Sequence, residues 1–242
     1  MRSKLPCSCG TGSALLHSNK ATLSYPMEFH FFDPSAKTDI THGDLPHWEQ
    51  ANVFYFITWR TADSIPAGVY EKWQAERGAW LWAHGIDSRL EDWSRQLEEL
   101  PENAHREFYQ RFTTQWHAML DESHGECLLA RPELSLLVEN SLRHFDGARY
   151  QLEAFVVMPN HVHVLAGVAG RGEMKLLCRN LKNFTAMQIN KALGRYGQFW
   201  QWESFDHLVR SPASLKKFSD YILQNPVKAR LRPDEYRVWA RP

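Results

Sequence analysis

The chain has no net charge: 28 Lys and Arg balance 28 Asp and Glu. Overall basicity therefore cannot mark a polyanionic partner. Cysteines are few, four in all, at positions 7, 9, 127 and 178. Their spacing fits neither a zinc ribbon nor a disulfide framework, so a small disulfide-stapled fold is excluded and a reducing cytoplasm is the expected compartment. No apolar run approaches the roughly 18 residues of a membrane span. Residues 1–20 have no apolar signal-peptide core, so no membrane partner is expected. No Walker-type phosphate loop is present, and chemistry coupled to ATP is not expected. Internal repeats and low-complexity tracts are absent too, which excludes solenoids and arrays.

What is present suits one large domain. With 242 residues, 43% of them hydrophobic, a sizeable core can be buried. Residues 1–48 read as an N-terminal extension, partly disordered, within which Met27 is a second candidate start. A single domain is expected over 49–235, with a helical insertion at about 64–126 and a C-terminal tail at 236–242. The charge, balanced in total, is unevenly spread. Asp63 to Glu126 holds thirteen acids against six Lys or Arg, and Arg171 to Arg232 holds twelve Lys or Arg against four acids. The second stretch reads either as a solvated helix surface or as a face for a polyanion.

Periodicity then places the elements. "NVFYFITWR" (52–60) alternates as a strand, with Phe54, Phe56 and Thr58 on one face and Val53, Tyr55, Ile57 and Trp59 on the other. The insertion has apolar residues at helical spacing, and Trp73, Trp80, Trp82, Trp93 and Trp116 read as packing groups. A helix is expected over 131–147, two strands of an antiparallel hairpin around the turn "PN", and a long helix over 172–194 that ends at a glycine. A short strand at 206–210 follows. The last helix is capped by Ser211, has Pro212 in its first turn and is expected to end at Pro226. This order (strand, helix, strand, strand, helix, strand, helix) predicts an α+β fold, a ferredoxin-like antiparallel sheet with helices on one face.

Two stretches carry unusual chemistry. In "VVMPNHVHVL" (156–165), His161 and His163 lie two apart in a strand, so both rings point the same way, roughly 6–7 Å apart at Cα. They read as ordinary surface histidines or as a bidentate site for a divalent metal. In "SDYILQNPVKARL" (219–231), Tyr221 reads as a core-edge tyrosine with a wetted hydroxyl. Asn225, four residues on, shares its helix face and reads as a C-terminal amide.

Taken together, "MPNHVHVL" (158–165), "FDHLVRS" (205–211) and "YILQNPVKARL" (221–231) resemble the REP-associated tyrosine transposases. These are single-tyrosine relatives of the insertion-sequence transposases, within the HUH single-strand endonuclease superfamily. The resemblance covers residues 131–231 strongly and 52–60 weakly. It implies a ferredoxin-like nuclease fold, with His161 and His163 as ligands of Mg²⁺ or Mn²⁺ and Val162 as the hydrophobe between them. Tyr221 is then the nucleophile that forms a 5′-phosphotyrosine, and Asn225 is a third ligand or polar support. Asp206 and His207 are implied as auxiliary groups. The implied partner is single-stranded or hairpin DNA, bound by a monomer or a homodimer. Lys175, Arg179, Lys182, Arg210, Lys216, Lys217, Lys228 and Arg230 are candidates to hold its backbone. Lys191 and Arg195 could join them, and Trp200 and Trp202 read as core packing or as base-stacking groups. The acidic, Trp-rich insertion departs from the family pattern. Two other readings stay open: a catalytically idle DNA-binding regulator of the same fold, and a protein with a structural metal site that binds no nucleic acid.

Overall fold

The structure, a computed structural model, describes residues 28–42, 46–90, 93–113 and 124–242. The stretch 1–27, expected as disordered and holding Cys7, Cys9 and Met27, lies outside the described residues, as does Trp116. In chain order the elements are β1 (Asp39–His42), β2 (Pro46–Glu49), β3 (Val53–Arg60), α1 (Ala67–Ala83), α2 (Trp93–Glu98), α3 (Glu102–Phe108), α4 (Pro132–His144), β4 (Tyr150–Val157), β5 (His161–Val168), α5 (Glu173–Leu193), β6 (Phe205–Leu208), α6 (Pro212–Lys228) and β7 (Arg237–Ala240). The protein is α+β.

The main sheet is antiparallel throughout, in the order β6-β3-β5-β4-β7. β3 is fully buried along its eight residues, because both of its faces are covered. On one face Val53, Tyr55, Ile57 and Trp59 join Phe155, Val162 and Val164 under α4 and α5, which contribute Leu134, Val138, Leu142, Met174 and Leu181. The other face presents Phe54, Phe56, Val156 and Leu165. Phe29 and Phe31 cover its Phe54 end, and a Cβ at Gly167 would meet the Phe29 ring at 2.6 Å, so only glycine admits that ring. α6 covers the Phe56 end through Leu215, Phe218 and Ile222.

Here the expected architecture needs correcting. α4 and α5 lie on one face, but α6 packs on the opposite one. An apolar second face leaves an apolar helix stripe as its natural cover. The expected tail also proves to be structured in part: residues 237–240 form β7, an edge strand on β4. Of the expected N-terminal extension, β1 and β2 pair antiparallel as a two-stranded sheet. Pro226 does not end the last helix, which runs on to Lys228.

The insertion has a core of its own. Trp73, Trp80, Trp93, Leu97, Phe108 and Phe112 are buried together, and the Arg77 guanidinium lies 4.6 Å from the Trp93 ring centroid. Trp82, expected to pack, is instead exposed. No helix among the described residues is long and apolar enough to cross a membrane.

The central hairpin β4–β5 is the mechanical heart of the sheet. Phe155 is fully buried there and stacks on Trp239 of β7 at 5.8 Å. Phe155→Ala is expected to cost about 3–5 kcal/mol, read as a lowered urea midpoint with an unchanged denaturant slope.

Candidate active site

Strand alternation puts His161 and His163 on the sheet face that α6 covers, beside Leu165. Their ring centroids are 4.7 Å apart and nearly perpendicular. Both are 3% exposed, so neither is a surface histidine. Each ring is held by its Nδ1. The amide oxygen of Asn160 stands 2.8 Å from Nδ1 of His161. The hydroxyl of Thr58 stands 2.7 Å from Nδ1 of His163, to which β3 registers it directly. An amide oxygen only accepts, so Nδ1 of His161 carries the proton and its Nε2 carries the lone pair. That Nε2 is buried and makes no hydrogen bond of normal geometry, with the Asn225 side chain close enough to favour its protonation. Burial, then the neighbouring His163 and Arg60, push the His161 pKa well below the usual histidine range. The ring is therefore neutral and able to ligate at neutral pH.

The α6 side supplies the rest. Phe218, Tyr221, Ile222 and Asn225 fall on its inward stripe at helical spacing. The Tyr221 ring lies 5.2 Å from that of His163 and 5.8 Å from Phe56, edge-on to both. It is half-buried, so one side of it meets solvent. Asn225 brings its amide nitrogen to 3.5 Å from Nε2 of His163. It lies in the last turn of the helix, where its carbonyl accepts from the Ala229 N–H. Lys228 places its ammonium 5.4 Å from the Tyr221 ring centroid.

Two imidazoles and a carboxamide make a donor set that fits a divalent cation. The fit rests on the orphaned Nε2 of His161: a buried lone pair without a donor is what a bound ion would satisfy. Among the described residues no three or more His, Cys, Asp or Glu side chains converge on such a point.

The other expected residues divide. His207 faces the α6 side, 5.4 Å from the Phe218 ring. Asp206 does not join the histidines. It registers with Ile57, points to the α5 side and pairs with His47. Neighbours on a strand must face opposite ways, so only one of the two can serve the site. Lys175, Arg179 and Lys182 also lie on the α5 side, lining a cleft there. Arg210 is exposed and stacks over Phe32. Lys216 is paired with Asp220 at 2.7 Å, while Lys217 and Arg230 are exposed. Trp200 is a core group whose indole donates to Thr185, but Trp202 is 86% exposed.

Sequence reading missed Thr58, Asn160 and Arg60. Thr58 and Arg60 are the polar residues on the inner face of β3, and Arg60 registers with His161. Asn160 reads from sequence only as a turn residue. Groups that orient a ligating imidazole tune its metal affinity. Thr58→Val is therefore expected to weaken Mn²⁺ binding about 10–100-fold, measured by calorimetric titration, with little change in the fold.

No family model matches the chain, and no curated protein matches it. Among solved structures, a REP-associated tyrosine transposase bound to a REP hairpin is similar over 83% of this chain and 93% of its own. Identity is 16% and the TM-score is 0.39.

Proposed function

We propose that this chain is a metal-dependent single-stranded DNA endonuclease and strand transferase, transposase-like, acting on hairpin or repeat DNA. The reading is carried by one juxtaposition: the Tyr221 ring stands 5.2 Å, centroid to centroid, from the His163 ring, beside His161 with its buried Nε2. The sequence resemblance and the order of four neighbouring strands of the main sheet, β6-β3-β5-β4, support a ferredoxin-like nuclease frame over residues 49–235.

His161, His163 and Asn225 would hold Mg²⁺ or Mn²⁺, which would supply Lewis-acid charge and help orient the scissile phosphate. The chain's own groups do the rest. The Tyr221 oxygen bonds to phosphorus and gives its proton to solvent. The bond from phosphorus to the 3′-oxygen breaks, and that oxygen leaves as a hydroxyl after taking a proton. The products are a 5′-phosphotyrosine and a free 3′-hydroxyl. Lys228, beside the phenol ring, is placed to hold the phosphate's charge. The ester exchange keeps its bond energy, so a 3′-hydroxyl can reverse the step and join strands without ATP.

The test incubates the protein with Mn²⁺ or Mg²⁺ and end-labelled single-stranded hairpin DNA. Cleavage is expected only with metal, leaving a 3′ end that a polymerase extends and a 5′ end that resists kinase labelling. Binding without cleavage favours the regulator reading. Failure to bind DNA at all leaves the structural metal site.

A further inference from the structure

On the side of the sheet away from the histidines, α5 and the segment 197–204 enclose a cleft of about 880 Å³. That is within the range of small-molecule sites, roughly 300–1,000 Å³. Its floor is made of buried groups: Met174, Cys178, Trp200 and the Asp206 carboxylate, whose side chain is 2% exposed and paired with His47. Its rim is exposed. Arg179 and Asn183 stand on α5, and Trp202 stands on the opposite wall.

The rim is built. Lys175, Arg179 and Lys182 recur at spacings of four and three, so they share one stripe of α5. Lys182 donates to the carbonyls of Gln201 (3.0 Å) and Trp202 (2.6 Å). It thereby clamps the backbone that carries Trp202, while the indole itself stays 86% exposed. A large aromatic held in water on a fixed backbone is a stacking surface at little further entropic cost.

Charge then sets the direction of an occupant. A carboxylate on the floor repels a phosphate, and cations on the rim attract one. A flat aromatic group with N–H edges suits the floor, because it stacks on the indole and donates toward Asp206. We propose that this cleft binds one unpaired nucleotide of the DNA, its base stacked on Trp202 and its phosphate against Arg179. The proposal rests on the DNA reading above and assigns the substrate a single-stranded segment outside the reacting bond. Asp206 and His207 are consecutive on the edge strand β6 and face the two sides of the sheet.

The experiment compares two labelled DNAs by fluorescence anisotropy: a hairpin with an unpaired tail and the same hairpin with a blunt end. Trp202→Ala is expected to weaken the tailed DNA about tenfold and to leave the blunt one unchanged. Trp202→Phe keeps a stacking face and is expected to restore most of the loss. Arg179→Gln is expected to lower the slope of log K against log salt by about one. Both side chains are exposed, so the fold is not at stake. If Trp202→Ala binds the tailed DNA like the parent, or weakens both DNAs equally, the cleft is not a nucleotide site. Should the parent still form the Tyr221 adduct in that case, the nuclease reading survives alone. If the parent binds neither DNA, both fall.

Discussion

Tyr221→Phe is expected to abolish covalent capture of DNA, with cleavage reduced by at least about 10³-fold. The substitution removes one oxygen and little else. The ring keeps its edge contacts to Phe56 and His163 and remains under the Lys228 ammonium. Folding, metal affinity and hairpin binding should therefore match the parent. Tyr236 is the proper control, because it packs against the same apolar layer and Tyr236→Phe is expected to leave the reaction unchanged. Loss of cleavage in Tyr221→Phe together with loss of DNA binding would point instead to a contact role for the hydroxyl.

The second large effect is at His161, and its signature is thermodynamic as well as catalytic. His161→Leu takes away an orphaned Nε2, which favours the fold, but leaves the buried Asn160 amide oxygen without its imidazole donor. Each such orphan costs about 1–3 kcal/mol. The two nearly cancel, so the metal-free variant should unfold close to the parent. With metal the two proteins separate. At a hundred times its Kd, an ion that binds only the folded chain stabilises it by about 2.7 kcal/mol. The parent's melting temperature should rise accordingly with Mn²⁺, and the variant's should not. Cleavage should disappear with that rise. A variant that keeps the metal-induced shift would place the ion elsewhere.

Much of this site could be read before any coordinates. The two-residue spacing of His161 and His163 put both rings on one side of a strand, and the four-residue spacing of Tyr221 and Asn225 put both on one side of a helix. Whether those two sides meet is a different kind of fact. Helix periodicity shows which residues face a sheet, not which of the sheet's faces they cover, and so α6 was expected on the wrong face. Thr58 could not be recognised as a histidine partner without the β3–β5 register. Asp206 was a different kind of miss, since alternation along "FDH" already forbade it from sharing a face with His207. Pro226 misled because the helix continues through it: the lost N–H removes one backbone bond, while buried contacts on the α6 stripe hold the turn.

The chemistry reduces to one bond, between the Tyr221 oxygen and a 5′-phosphate. The direct measurement is to trap the protein–DNA complex with Mn²⁺, digest it with nuclease and protease, and locate the residual phosphonucleotide by mass spectrometry. The mass is expected on the peptide that holds Tyr221, on that residue, and is expected to be absent when metal is withheld. A phosphonucleotide on any other side chain, or cleaved DNA with no protein-bound phosphate, would contradict it.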